Sequence, residues 1–153
     1  MTVQSTGDDR PLPPAAAALG YAGLVPFVAG ALGVALLDDE LRAFAARALV
    51  AYGAVILSFV GAVHWGLLLG RGADARVPAR LLAGVLPSVA GWAALLLQPR
   101  HGLALLVASF GVFWLYEHRA VGERLLPAAY LGLRRSLTLA VCALLTLGLV
   151  AVG

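Results

Sequence analysis

Runs of about 17 to 23 apolar residues recur along the chain between short charged segments. At 1.5 Å of rise per residue, that length crosses the roughly 30 Å hydrocarbon core of a bilayer. Inside lipid a backbone must satisfy its own hydrogen bonds, which restricts such runs to helices. The composition agrees, since 61% of the 153 residues are apolar and only 12% are charged, a balance foreign to soluble domains. The expected fold is an all-α integral membrane protein, a bundle of five transmembrane helices with short loops.

The helices are expected at about 15–37, 45–69, 81–97, 102–116 and 136–152, within a single membrane domain over 15–153. Residues 1–14 are polar and proline-rich and are expected to form a flexible tail. The first run is long for the apolar part of a signal peptide and follows a single arginine, so it is assigned to the first helix. Pro26 is expected to bend that helix, and Pro87 falls near the middle of the third. Asp38, Asp39, Glu40 and Arg42 mark a short amphipathic turn, and Glu117 to Arg135 is the longest internal connection.

All eleven basic residues are arginine, and the apolar ones are mostly Ala, Leu, Val and Gly, a usage that fits GC-rich bacterial coding. The arginines sit singly or in pairs beside apolar runs, as membrane anchors do, and no nucleic-acid partner is expected. Five spans put eight arginines on the side of the N-terminus and three on the other. The positive-inside rule therefore places the chain in the bacterial inner membrane with its N-terminus cytoplasmic and its C-terminus periplasmic.

In that arrangement His64 and Trp65 near the end of the second helix share a shallow layer with Trp114, Tyr116, Glu117 and His118. His64 is embedded in an apolar run, where an ionisable group must be neutral, paired or turned to the protein interior. With Ser58, these residues (His64, Trp65, Trp114, Tyr116 and Glu117) are the candidate ligand-binding set. Ordinary interface placement is the expected account of Trp65, Trp92, Trp114 and Tyr116, and His101, Glu117 and His118 are expected to be solvated. Gly53, Gly61 and Gly66, with Ser88 and Ser109, are the candidate helix-packing residues.

Cys142 is the lone cysteine and is expected to act as a small buried hydrophobe, so no disulfide or cysteine metal cluster forms within one chain. There is no His-Glu-x-x-His, Gly-x-Ser-x-Gly or phosphate-binding glycine loop, and no cofactor is expected. The partners expected are the lipid bilayer and a membrane-protein partner or a second copy of the chain.

The run Ser58-Phe59-Val60-Gly61-Ala62-Val63-His64-Trp65-Gly66 is followed by Leu86-Pro87-Ser88, Leu126-Pro127 and Tyr130-Leu131-Gly132-Leu133-Arg134. These motifs resemble the family known as domain of unknown function 3429, which has bacterial members and animal relatives. The resemblance covers roughly residues 20–150 and implies a small multi-helix membrane protein, without an activity or ligand. Three functions stay open: a non-enzymatic accessory or assembly protein, a binder or transporter of an amphipathic lipid or quinone-like molecule around His64, and an enzyme using His64 and Glu117 as an acid and base. A reporter fused after Gly153 is expected to work only when it requires the periplasm; activity confined to the cytoplasm would reverse the orientation.

Overall fold

The computed structural model describes residues 13–69, 77–121 and 128–153; the side chains of His64 and of residues 67–69, 77–80, 120–121 and 128 lie outside that description. Residues 1–12 of the expected tail and the polar segment around Arg71 and Arg76 therefore fall outside the described residues, and Pro14 opens the first helix. Those described are helical apart from short corners, and no strand occurs among them. The helices are α1 (Pro14–Ala22), α2 (Val25–Leu36), α3 (Asp39–Leu69), α4 (Val77–Leu96), α5 (Pro99–Tyr116), a π-helical turn (Glu117–Val121) and α6 (Ala128–Val152). Among the described residues three stretches are long and apolar enough to cross a membrane: Pro14–Leu36 across the α1–α2 bend, Asp39–Val63 and Ala129–Val152.

Proline 26 breaks the first apolar run. It has no N–H for the carbonyl of Ala22, and its ring collides with that carbonyl, so α1 ends at Ala22. The bend thus falls at Gly23–Leu24, just ahead of the proline. Corner hydrogen bonds run from Gly23 N–H to Leu19 O (3.0 Å) and from Leu24 N–H to Tyr21 O (2.9 Å). The Tyr52 hydroxyl of α3 donates to the Gly23 carbonyl at 3.0 Å, and its ring meets Phe27 edge-on with centroids 5.0 Å apart.

Helix α3 starts at Asp39, earlier than the amphipathic turn suggested. Asp39 and Glu40 occupy its first turn, where carboxylates complement the positive end of the helix dipole. Arg42 reaches back to donate to the Leu37 carbonyl at the corner. Likewise α5 starts at Pro99, which needs no partner for an N–H at that position.

The core collects Phe27, Ala31 and Val34 from α2, Leu49 and Leu57 from α3, Leu103, Leu106 and Phe110 from α5, and Val141 and Leu145 from α6. Facing outward are Val55 and Phe59 of α3, Leu82 and Trp92 of α4, Val112 of α5 and Leu139 of α6. So much exposed apolar surface around a packed core is what lipid covers. Cys142 is half-buried against the core.

Helices α3 and α4 meet along a seam of small residues. Gly61 faces the Gly84 carbonyl and Pro87, and seven residues back Ala54 faces Gly91. Such spacing lets two backbones approach closely. Gly53 packs on Leu106 of α5, whereas a side chain at Gly66 would meet nothing within 4 Å. Among the described residues nothing packs on Gly66, and Ser88 is exposed on α4. Ser109 bonds its own helix through the Leu105 carbonyl at 2.7 Å.

Gly61→Ala is expected to destabilise the protein by about 1–3 kcal/mol, because the new methyl meets backbone that cannot yield. Gly66→Ala should be neutral or stabilising by up to about 1 kcal/mol, through lower helix entropy. Thermal unfolding in detergent micelles checks both.

Candidate functional site

The inward face of α5 repeats every three or four residues, through Leu103, Leu106, Phe110 and Phe113. The next position in that series is Glu117, at the start of the π-helical turn. Only 1% of it is exposed, while its neighbours His118 and Arg119 are exposed. The expectation that Glu117 is solvated is thus overturned: the helix continues past Tyr116, and the inward stripe carries the carboxylate with it.

Helix α6 supplies the partner. Its inward stripe is Arg134, Thr138, Val141 and Leu145, spaced four, three and four residues apart. Arg134 Nε donates to Glu117 Oε2 at 2.9 Å, and Nη1 donates to Thr138 Oγ1 at 3.0 Å. The sequence reading kept Arg134 in a polar connection ending at Arg135. Instead α6 begins at Ala128, and Arg134 lies inside it at 8% exposure. A charge that would normally end a span is tolerated because it is paired and hydrogen-bonded.

Beside this pair lies a cavity of about 380 Å³, within the range of small-molecule pockets. Its wall comes from α1, the Gly23–Leu24 corner, α2, α3, α5 and α6, and its polar lining residues are Arg134 and Tyr130. Phe27 and Phe110 line it from the core, their rings edge-on with centroids 6.5 Å apart. Leu19 of α1 and Phe59 of α3 also line it and are 73% and 66% exposed. The cavity therefore opens at the apolar surface between α1 and α3. Arg134 Nη2 is buried without a hydrogen-bond partner among the described residues.

The other candidate side chains are engaged elsewhere. Ser58 Oγ donates to the Ala54 carbonyl in its own helix (2.9 Å), and Trp65 Nε1 donates across to the Leu81 carbonyl of α4 (3.1 Å). Trp114 stacks on His118 with ring centroids 5.6 Å apart, and Tyr116 lies beside Phe113. None of these four lines the cavity, and Glu117 meets it only through Arg134. Among the described residues, no three His, Cys, Asp or Glu side chains gather as a metal site would require.

A family model described as "Protein of unknown function (DUF3429)" matches residues 12–150. Transmembrane protein 69 of Xenopus tropicalis is 34% identical over 112 residues, covering 71% of this chain and 43% of that protein. Transmembrane protein 69 of Mus musculus is 30% identical over 105 residues, covering 68% of this chain and 42% of that protein. The chain spans less than half the length of these curated relatives. No solved structure gives a significant match.

Removing one member of the buried pair strands the other charge. Glu117→Gln or Arg134→Met alone is expected to cost about 3–5 kcal/mol. The double variant should cost less than the sum of the singles by about 0.5–3 kcal/mol. A double-mutant cycle from unfolding of the detergent-solubilised chain measures this, and strict additivity would refute the pairing.

Proposed function

The chain belongs to the DUF3429 family, proteins of unknown function, and on that footing we propose that it binds an amphipathic small molecule of the bilayer beside Arg134. The single observation behind this is a cavity with a nearly wholly apolar wall that has Arg134 and Tyr130 among its lining residues. Apolar walls with a few placed polar groups are what ligand pockets have. The opening between Leu19 and Phe59 gives access from lipid rather than from water.

The site keeps the amphipathic ligand class considered from the sequence and moves its centre from His64 to Arg134. An accessory or assembly role has weaker support, because the exposed apolar residues that a protein partner could cover are equally suited to lipid. Acid–base chemistry between His64 and Glu117 has less support still, since the Glu117 carboxylate is engaged by Arg134.

In the membrane, α4 and α5 join the three longer apolar stretches as shorter spans, giving five. Leaving out the buried Arg134, the arginine count is still seven against three, which favours a cytoplasmic N-terminus in an inner membrane. The cavity then lies toward the cytoplasmic leaflet.

Protein extracted from its native membrane in mild detergent is expected to carry a small amphiphile detectable by native mass spectrometry. Leu137→Trp, which fills the cavity from α6, should abolish the bound mass while leaving the chain folded. Equal retention by a folded Leu137→Trp protein would exclude this cavity as the site.

A further inference from the structure

The cavity is long, and its two ends differ. On α6 its wall runs from Tyr130 to Val141, and through α1 and α2 from Ala16 to Phe27, eleven residues on in each case. Helix α1 passes α6 so closely that a Cβ on Gly20 would sit 3.1 Å from the Leu137 side chain, so the two walls run level. At 1.5 Å of rise per residue, each is about 16 Å long. Tyr130 and Arg134, the lining residues with polar side chains, both belong to the first two turns of α6, beside the exposed Arg135. At the far end stand Phe27, Ile56, Phe110 and Val141. Phe27 and Phe110 are each 1% exposed, so the core closes that end.

Length and volume together give the width. Spread over about 16 Å, the 380 Å³ of the cavity has a mean cross-section of about 24 Å². A methylene takes about the volume of a water molecule, roughly 30 Å³, and a zigzag of bonds of about 1.5 Å advances about 1.3 Å per carbon. One extended alkyl chain therefore has nearly the same cross-section, about 23 Å². Counted by volume or by length, the cavity takes about 13 carbons. Two chains side by side, a fused-ring body or a methyl-branched isoprenoid chain is too wide. Carbons beyond that number must leave past Leu19 and Phe59 and gain no contact with the wall.

We infer that the cavity is a slot for one linear hydrocarbon chain, the tail of a fatty-acyl amphiphile, with its terminal methyl against Phe27 and Phe110 and its polar end at the start of α6. This rests on the cavity being the binding site proposed above. The selection is by shape. A chain coming from lipid is already out of water, so what favours it in the slot is close contact along the wall, which a wider or shorter body does not make. A single-chain lipid and one chain of a phospholipid offer the same tail, the second chain of the latter staying outside the opening.

Native mass spectrometry of the full chain in digitonin, a detergent whose apolar part is a ring system, tests the inference. The probes are monocaprylin, monolaurin, monomyristin, monostearin, dilauroylphosphatidylcholine, phytanoylglycerol and cholesterol, and only the retention that Leu137→Trp removes is counted. Monolaurin and monomyristin are expected to be retained about tenfold more than monocaprylin, phytanoylglycerol or cholesterol, with no further gain for monostearin. Retention of dilauroylphosphatidylcholine above monolaurin identifies a phospholipid chain as the occupant, and the reverse order a single-chain lipid. Monolaurin carrying a diazirine on its terminal carbon should label the segments of Phe27, Ile56 or Phe110. Ile56→Trp, which fills the closed end, should move the best-retained chain to about two carbons fewer, since the indole adds the volume of roughly two methylenes. The inference is overturned if phytanoylglycerol or cholesterol matches monolaurin, if retention keeps rising to monostearin, if the label falls on Tyr130 or Leu133, or if folded Ile56→Trp keeps the same order. Should Ile56→Trp fail to fold, the probe order and the label on the unaltered chain decide. A branched or ring-bodied probe that Leu137→Trp displaces leaves the cavity reading standing and removes only the linear chain. If no probe enters the unaltered chain, both fail.

Discussion

A charge buried in an apolar bundle is tolerated only when something nearby compensates it, and in this protein Glu117 and Arg134 compensate each other. The pair joins the last inward position of α5 to an early inward position of α6. With Arg134 paired, the first turns of α6 can lie inside the bundle, and they bring Tyr130, Leu133 and Leu137 into the cavity wall. One ion pair thus sets how far α6 extends, and how far α6 extends sets the shape of the pocket. Buried pairs of this kind contribute little net stability compared with apolar replacements, so their value lies in geometry and chemistry.

The space itself comes from the bend at Pro26. Helix α2 is packed tightly, with Phe27, Ala31 and Val34 all in the core and Gly33 against Ala45 of α3. Helix α1 has no buried residue. Beyond the bend the chain stops following α3, and Ala16 to Leu24 form an outer wall instead of closing onto Phe59, Val60 and Val63. Tyr52 secures the corner by taking the Gly23 carbonyl, which keeps an otherwise exposed backbone acceptor satisfied in lipid. Packing and vacancy are therefore two consequences of one proline.

Apolar side chains from five helices line the cavity, and the Arg134 guanidinium, held by two hydrogen bonds, stands in its wall. No described residue of α4 lines this wall; its seam with α3 runs through Gly61, Gly84 and Gly91. The family match places the whole bundle, residues 12–150, within one family, so pair, bend and seam all fall within the matched region.

Much of the architecture was legible in the residues: helices follow from apolar length, membrane residence from composition, and the break near residue 26 from proline chemistry. The site was only partly legible. Glu117 stood out as an acid near an aromatic layer, but it was read as solvated because it follows the last apolar residue of its run. A periodic signal did exist, since Leu103, Leu106, Phe110, Phe113 and Glu117 share one spacing, as do Arg134, Thr138, Val141 and Leu145. Hydropathy alone cannot use that signal, because it scores each charge as exposed and ends the helix there. His64 attracted attention for the same one-dimensional reason, being an ionisable residue in an apolar run. What the sequence by itself determined was the class of fold, because length and transfer free energy are local properties of the chain. Which charge enters the bundle, with which partner and beside which cavity, was decided only by the tertiary structure, because compensation depends on two stripes from different helices meeting in space.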